Sequence, residues 1–222
     1  MNEKKEVGEK AVEYVKDGMV VGLGTGSTVF YTITKLGQLV QQGLSIKGVP
    51  TSEQTKQLAI QLGIPLVSFN EIEQIDVAID GADEVDSELN LIKGGGGALL
   101  REKIIAAAAK TFIVVADSDK NVDTLGTFPL PIEVVPFGYE MTAKHIRKLG
   151  GSPKLRKKDG APYRTDNGNY IIDSNFQEIT QSRELEKNLN LIPGVVDNGL
   201  FVDMADIVIT IKDNKLSTIV RS

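Results

Sequence analysis

The stretch Met19–Thr28, MVVGLGTGST, decides the fold class because it joins a short apolar segment to a glycine-rich turn. Residues 19–23 are predicted to form a buried strand, and apolar residues at helical spacing predict a helix over 28–42. The same alternation runs from residue 3 to about residue 120 and includes a predicted strand at 65–69. Short apolar strands separated by helices are typical of a buried parallel sheet. We therefore predict an α/β fold, with a Rossmann-like, mainly parallel sheet and helices on both faces.

The pattern changes around residues 127–136, where three prolines mark a boundary or an exposed edge strand. Beyond it the predicted order is strand, helix, two strands, helix and strand, which is that of a split, ferredoxin-like α+β unit. The tail reads as a hairpin that returns to the first domain. We predict a Rossmann-like catalytic domain over 1–127, completed by 205–222, and a smaller ferredoxin-like domain over 128–204.

Composition excludes several classes of function. Zero cysteines exclude a disulfide framework, a thiolate nucleophile and cysteine-bound metal centres. The single histidine, His145, lies in an ordinary amphipathic pattern, so we expect neither a multi-histidine metal site nor a catalytic role for it. The longest apolar runs are far shorter than the roughly 18 residues of a membrane span. The charged N-terminus lacks the features of a secretory signal, so a cytoplasmic location is expected.

The charge balance argues against a nucleic-acid partner. The net charge is −5, whereas broad nucleic-acid binding needs a positive surface that neutralises phosphates. A local basic run, Lys154–Lys158, leads into Asp159–Gly160, a pair typical of a hairpin turn. We interpret this run as the solvated end of a strand rather than as a nucleic-acid patch.

The first motif with chemical potential is Gly22–Thr28, GLGTGST, between the first strand and the next helix. Backbone N–H groups in such a turn, with the positive end of a helix behind them, form a pocket for an anion such as phosphate. Thr25, Ser27 and Thr28 add hydroxyl groups. The spacing departs from the dinucleotide fingerprint G-x-G-x-x-G, and the run lacks the Lys–Ser/Thr ending of a P-loop. A purely structural turn is the alternative.

The second motif is Asp80–Asp86, DGADEVD, directly after a predicted strand at 75–79. It stands at the carboxyl end of a parallel strand, where open α/β sheets bind ligands. Asp80 and Asp83 are the candidate functional residues. The spacing of a calcium loop is missing. The alternative is a solvated acidic turn, which is what we expect of Glu84, Asp86 and Glu88.

The third motif is Leu91–Lys103, LIKGGGGALLREK, in which four glycines precede a predicted helix over 98–110. So many glycines together indicate a backbone that approaches a ligand closely, although a flexible connector is the alternative. Lys93 could stabilise an oxyanion beside the glycine N–H groups. Glu102 is the candidate base. Arg101 and Lys103 have similar neighbours on the helix, so periodicity does not distinguish the three; chemistry favours the acid, since arginine stays protonated.

Taken together, the runs at 22–28, 80–86 and 93–104 closely resemble the type A ribose-5-phosphate isomerase family. The resemblance extends through three further segments, at 115–120, 128–134 and 165–169. It implies reversible conversion of D-ribose 5-phosphate to D-ribulose 5-phosphate in the non-oxidative pentose phosphate pathway, without metal or organic cofactor. It also implies that Glu102 takes the C2 proton and returns it at C1 through a cis-enediolate.

The resemblance assigns the remaining roles residue by residue. Asp80, Asp83 and Lys93 would handle hydroxyl protons, ring opening and the developing oxyanion. The positions that match the family's substrate-binding residues are Thr25, Gly26, Ser27, Thr28, Asp80, Gly81, Ala82, Asp83, Lys93, Gly94, Gly95, Gly96 and Lys120. A homodimer or homotetramer is the oligomeric state that the resemblance suggests.

Other proteins resemble this fold, so competing functions stay open here. Glucosamine-6-phosphate deaminases, CoA transferases and sugar-sensing regulator domains are the main ones. A sensor would not need Glu102, and a deaminase would be expected to use histidine chemistry that His145 is poorly placed to supply. A nicotinamide-dependent oxidoreductase is discounted by the imperfect fingerprint at 22–28.

Overall fold

The computed structural model describes residues 2–221, which divide into two compact units. The first unit contains the described residues up to Ala82, together with Arg101–Asn121 and the residues from Asp203 onward. The second contains Asp83–Leu100 and Val122–Val202. No helix in the described chain is both long enough and apolar enough to cross a membrane.

The described residues form six α-helices and fifteen strands, numbered here in chain order. The helices are α1 (Glu3–Ala11), α2 (Val29–Gln41), α3 (Glu53–Gln61), α4 (Leu99–Ala108), α5 (Tyr139–Lys148) and α6 (Ser182–Asn190). The strands are β1 (Val20–Leu23), β2 (Lys47–Pro50), β3 (Ile75–Gly81), β4 (Glu84–Val85), β5 (Leu91–Ile92), β6 (Ala109–Val115), β7 (Leu130–Val134), β8 (Ser152–Leu155), β9 (Lys157–Lys158), β10 (Ala161–Pro162), β11 (Tyr170–Asn175), β12 (Val195–Asn198), β13 (Leu200–Phe201), β14 (Ile207–Lys212) and β15 (Lys215–Val220).

The first unit is built on a six-stranded sheet in the order β15-β14-β6-β3-β1-β2. All neighbouring strands run parallel except β15, which pairs antiparallel with β14 at one edge. The central strands are almost entirely buried, which explains why they read as continuous apolar runs. The predicted mainly parallel sheet is confirmed.

Helices cover both faces of this sheet. Val21 and Leu23 of β1 join an apolar cluster with Ile33 and Leu36 of α2. Because side chains alternate along a strand, Gly22 faces the opposite side, where a Cβ atom would lie 2.5 Å from Ile105 of α4. Glycine at position 22 therefore lets α4 pack closely on the second face.

The predicted strand at 65–69 is wrong. In this segment only Leu66 pairs, through an isolated parallel bridge to Gly48, and a 3₁₀-helix, Phe69–Glu71, follows. Ser68 and Glu71 form a reciprocal capping box that begins this helical turn. The local cap therefore ends the extended segment before a strand can form.

The second unit contains an antiparallel sheet in the order β12-β7-β11-β8. Helix α5 connects β7 to β8, and α6 connects β11 to β12, so the order βαββαβ is confirmed. Strands β9 and β10 form a small hairpin after β8, with Asp159 (φ 53°) and Gly160 (φ 82°) at its turn. The basic run therefore ends in a hairpin, as predicted.

A three-stranded sheet, β13-β5-β4, explains why the segment 83–100 belongs to the second unit. Leu91 and Ile92 of β5 pair with Phe201 and Leu200 of β13, and Val122 donates a hydrogen bond to the carbonyl of Val85. The sequence-based boundary kept this segment with the first domain. The assignment of domains to 1–127 with 205–222, and to 128–204, stays a prediction.

Candidate active site

The carboxyl ends of β1 and β3 lie side by side at the point where the strand order of the first sheet reverses. The chain passes from β1 to β2 on one side, and β3, β6 and β14 follow on the other side of β1. Ligands of open α/β sheets bind at such a switch point. The glycine turn at 24–28 follows β1, and Asp80 lies near the end of β3, so two of the sequence motifs meet here.

Asp80 organises the glycine turn. Its carboxylate is almost fully buried, and Oδ1 accepts hydrogen bonds from the backbone N–H groups of Thr25 (3.0 Å) and Gly81 (2.8 Å). A Cβ atom at Gly24 would lie 2.2 Å from the same oxygen. Only glycine at position 24 lets the turn approach the carboxylate this closely.

The hydroxyl of Thr25 belongs to a cluster of four hydroxyl groups. Its Oγ1 lies 2.7 Å from that of Thr51, 2.8 Å from Oγ of Ser52 and 3.0 Å from Oγ1 of Thr55. Thr55 also donates to the carbonyl of Gly24 at 2.8 Å. Sequence reasoning missed these three partners, which follow β2 and are brought to the turn by the parallel pairing of β2 with β1.

Gly26 and Ser27 are the exposed part of the turn and lie just before α2. Backbone N–H groups at the start of a helix attract anions, and Gly26, with φ of 130°, adopts a conformation that favours glycine. Lys4 of α1 donates from Nζ to Oγ of Ser27 at 3.1 Å. A cation thus stands at the predicted phosphate turn; sequence reasoning missed it because Lys4 lies on another element.

Lys120 ends a 3₁₀-helix, Ser118–Lys120, that follows β6. The carboxylate of Glu3 binds this turn through the N–H (2.8 Å) and hydroxyl (2.7 Å) of Ser118. Lys4 Nζ lies 3.8 Å from Oδ2 of Asp117. The first turn of α1 is therefore anchored beside the segment that carries Lys120.

Glu102 lies in the first turn of α4 and is 3% exposed. Arg101 and Lys103, which periodicity did not distinguish from it, are each partly exposed. Arg101 forms an ion pair with Glu53 of α3, with 3.2 Å between Nη1 and Oε1. Glu102 is thus the most buried of the three, and a carboxylate can act as a general base, whereas a guanidinium stays protonated.

In the second unit the glycine run is held in a defined conformation. The N–H of Gly95 donates to Oδ2 of Asp83 at 2.7 Å, and a Cβ atom at Gly95 would lie 2.6 Å from Oδ1. Gly94 and Gly97 have φ values of 104° and 83°, which residues other than glycine rarely adopt. These contacts contradict the interpretation of the run as a flexible connector.

Lys93 precedes the run and is 2% exposed. Its backbone N–H donates to the carbonyl of Gly199 at 2.8 Å, which ties it to the start of β13. Its Nζ lies 5.4 Å from the centroid of the Phe201 ring, within the range of a cation–π contact. The ammonium is therefore enclosed by protein.

A family model for ribose 5-phosphate isomerase A (phosphoriboisomerase A) matches residues 47–215, most of the chain. The chain belongs to the ribose 5-phosphate isomerase A family. It is 55% identical over 205 residues to the ribose-5-phosphate isomerase A of Bacillus mycoides, covering 92% of this chain and 93% of that relative.

Solved structures of ribose 5-phosphate isomerases share the fold over nearly the whole chain. A D-ribose-5-phosphate isomerase in complex with phospho-erythronic acid is 45% identical, with a TM-score of 0.96 and full coverage of both chains. The ribose 5-phosphate isomerase A of Methanocaldococcus jannaschii is 44% identical, with a TM-score of 0.93, and covers 98% of this chain and 97% of its own. The predicted family and fold class are confirmed.

The residues that match the family's site are distributed over both units. The first unit carries Thr25, Gly26, Ser27, Thr28, Asp80, Gly81, Ala82, Glu102 and Lys120, and the second carries Asp83, Lys93, Gly94, Gly95 and Gly96. Within the first unit, Thr25, Asp80 and Gly81 are joined by hydrogen bonds; within the second, Asp83 and Gly95 are. Their roles in this member of the family stay predictions.

The expectation that Glu84 is a solvated acid is wrong. Glu84 is 2% exposed, and its carboxylate accepts hydrogen bonds from the backbone N–H groups of Gly126 and Phe128. Glu84 fixes the loop that leads into β7. Its position three residues after the end of β3 gives no sign of this role. Glu88 is exposed, as expected.

Arg156 is a further residue that sequence reasoning misses, because the basic run at 154–158 predicts only the solvated end of a strand. Its guanidinium pairs with the carboxylate of Asp173 through Nε and Nη2, and Nη1 donates to the carbonyls of Gly94 (3.0 Å) and Gly95 (3.1 Å). No local pattern links residues 156 and 173 to the glycine run. The tertiary fold of the second unit brings them together.

Proposed function

We propose that this member of the ribose 5-phosphate isomerase A family interconverts D-ribose 5-phosphate and D-ribulose 5-phosphate, with Glu102 as the base. The observation that carries the proposal is a buried carboxylate in the first turn of α4, directly after the glycine run. Proton abstraction beside a carbonyl needs such a base, an electrophile at the oxygen and an anchor that fixes the substrate. The chain offers a candidate for each.

The anchor is the turn before α2. Gly26 and Ser27 are exposed residues at the start of a helix. Their backbone N–H groups, the Ser27 hydroxyl and the Lys4 ammonium bonded to that hydroxyl suit the phosphate of the sugar. Thr28 and Lys120 are assigned to substrate binding by their match to the family. Thr25 contributes through its backbone and through the hydroxyl cluster that supports the turn.

The proposed reaction moves protons only, so it needs no redox partner. Glu102 takes the proton from C2 of the open-chain aldose, and the electron pair shifts to make a C1–C2 double bond and an enediolate oxygen at C1. Lys93 and the glycine N–H groups stabilise that oxyanion. A proton passes from the C2 hydroxyl to the C1 oxygen, and Glu102 returns its proton to C1, which leaves the ketone at C2.

Asp80 and Asp83 complete the proposed set. Asp80 accepts from two backbone N–H groups through Oδ1 and Asp83 accepts from one through Oδ2, so each carboxylate is held in its orientation. We assign them to ring opening and to proton transfers at the sugar hydroxyls, following the family resemblance. The location in the cytoplasm, the place in the pentose phosphate pathway and assembly as a homodimer or homotetramer are proposed on the same basis.

The activity is tested by following ribulose 5-phosphate formation from ribose 5-phosphate, with ribose as the comparison substrate. We expect turnover of the phosphorylated sugar and a kcat/KM lower by at least about 10²-fold for ribose, because the anchor loses its phosphate. Binding of ribose 5-phosphate without turnover would contradict the proposal and favour a sugar-phosphate sensor.

A further inference from the structure

The Gly94–Gly95 peptide group is bound at both of its ends. Its carbonyl oxygen accepts from Arg156 Nη1 at 3.0 Å, and its N–H donates to Oδ2 of Asp83 at 2.7 Å. A peptide group held by a cation on one side and a carboxylate on the other cannot rotate without breaking a charge-assisted hydrogen bond. Arg156 and Asp83 therefore fix its plane together.

The next peptide group, Gly95–Gly96, is held by Arg156 as well, since Nη1 lies 3.1 Å from the carbonyl oxygen of Gly95. The described chain contains no cis peptide bond, and in a trans peptide the N–H points opposite to the carbonyl. The N–H of Gly96 is thus turned away from the guanidinium. Gly96 is an exposed residue, so a ligand can reach its backbone.

Arg156 itself is fixed from several sides. Nε and Nη2 form a forked pair with the carboxylate of Asp173 in β11, and the ring of Tyr163 lies 5.8 Å from Cζ. The Arg156 backbone bonds to Ile171 and Tyr163. Tyr163 in turn occupies the space in which a Cβ atom of Gly97 would lie. The guanidinium is therefore held in a fixed position within the second unit, and it donates hydrogen bonds to the carbonyls of Gly94 and Gly95.

We propose that Arg156, held by Asp173, is a positioning residue that orients the Gly94–Gly96 backbone so that the Gly96 N–H stabilises the substrate oxyanion. This inference rests on the proposed isomerase function. A guanidinium bound to the carbonyl side also polarises the peptide groups, which strengthens their N–H donors. The contribution is realised mainly when charge develops on the substrate, so it belongs to kcat rather than to KM.

The test compares Arg156→Met and Arg156→Lys with a matched control, Lys157→Met. A cleft of about 850 Å³ is lined by Gly95, Arg156 and Lys157. Lys157 is therefore an exposed cation that neighbours Arg156 both in sequence and in this cleft. Loss of one oriented donor typically lowers kcat by about 10²–10³-fold. We expect a kcat about 10²-fold lower in Arg156→Met and at least about 10-fold lower in Arg156→Lys, with KM within about 3-fold of wild type. Lys157→Met should leave both unchanged.

A second measurement separates positioning from a purely structural role. Millimolar guanidinium added to Arg156→Ala should raise kcat several-fold, because the free ion can occupy the place between Asp173 and the two carbonyls, and it should not affect Lys157→Ala. If Arg156→Met fails to fold, Arg156→Lys and this rescue decide the question. A kcat equal to that of the Lys157 variants, or an effect confined to the melting temperature, overturns the inference. An inactive wild type would instead overturn the proposed function on which it rests.

Discussion

Lys93 combines nearly complete burial with an ammonium beside the Phe201 ring. Methionine has an unbranched side chain of similar length and removes the charge. We expect Lys93→Met to lower kcat by about 10²–10³-fold, the usual loss for an oxyanion-stabilising group. We also expect it to raise KM, because substrate binding is weakened. Steady-state kinetics beside Lys148→Met, an exposed lysine of α5, provides the comparison. Full activity of Lys93→Met would assign the electrophile to another residue.

Gly24 is required by the close approach of Asp80 to the turn. A methyl group there would meet the Asp80 carboxylate at 2.2 Å, so Gly24→Ala should cost about 1–3 kcal/mol of unfolding free energy, as overpacking does. Gly81→Ala is the matched control for stability, since its Cβ atom would meet only ordinary contacts at 3.7 and 3.8 Å. Thermal melting should show a clear decrease for Gly24→Ala alone. Equal melting temperatures would show that Asp80 does not hold the turn.

For single residues, the sequence predicts which side chain can act as a base better than it predicts which groups that side chain contacts. Chemistry favours Glu102 over Arg101 and Lys103 as the base, whereas the burial that distinguishes Glu102 depends on how α4 packs. The sequence predicts Glu84 as a surface acid, and this is wrong because its backbone partners, Gly126 and Phe128, lie 42 and 44 residues further along the chain. Pairings over such separations leave no local pattern.

The beginning of α3 supports the glycine turn through the hydroxyl cluster. Ser52 caps this helix by accepting from the Thr55 N–H at 3.0 Å and also bonds to Thr25. Ser52→Ala should therefore cost about 1 kcal/mol, as the loss of an N-cap does. Chemical denaturation is the measurement, with the exposed Ser87→Ala as the control that should change little. A stable Ser52→Ala would show that the cap does not contribute.

The contact between α1 and the turn after β6 predicts a pH-dependent stability. Hydrogen bonds from the Ser118 N–H and hydroxyl hold the pKa of Glu3 below its ordinary value of 4.5. A lowered pKa adds stability that is present above pH 4.5 and is lost as the pH falls through the folded-state pKa. Glu3→Gln should be less stable than wild type at pH 7, with the difference vanishing in acid.

Urea unfolding at pH 7, 4 and 3 measures this difference, with Glu6→Gln as the companion variant from the same helical turn. A difference between Glu3→Gln and wild type that stays constant or grows toward pH 3 would contradict the assigned interaction.

Elements were predictable where apolar periodicity was strong and caps agreed with it. The helices and the parallel strands of the first unit follow that pattern, as does the βαββαβ order of the second. The prediction of a strand at 65–69 failed. An apolar run of that length is compatible with a strand, but the Ser68–Glu71 cap favours a helical turn. Local capping decided the outcome.

At the scale of the molecule, the division of the chain into two units depends on pairing between strands that are far apart in sequence. Strand β5 pairs with β13, more than a hundred residues later, and this contact places 83–100 with the second unit. Two-residue strands carry no periodic signal of their own, so the sequence could not predict this. The family resemblance could predict the reaction, because it rests on motifs rather than on boundaries.

The proposed mechanism uses side chains and backbone groups only, which predicts independence from metal ions. Within residues 2–221, no three or more metal-binding side chains of the types His, Cys, Asp or Glu are grouped as a candidate site. Because no step of the proposed reaction uses a metal ion, turnover should be unchanged after dialysis against EDTA and should not rise when Mg²⁺ or Mn²⁺ is added back. Loss of activity in EDTA that a metal restores would contradict the mechanism.

The most direct test of the central claim is the kcat of Glu102→Gln with ribose 5-phosphate, measured beside wild type and the exposed-acid control Glu88→Gln. The amide keeps the size of the side chain and cannot take up the C2 proton. We predict a kcat lower by at least about 10²-fold, a KM close to that of wild type and an unchanged Glu88→Gln. Near-normal turnover of Glu102→Gln would contradict the assignment of Glu102 as the base.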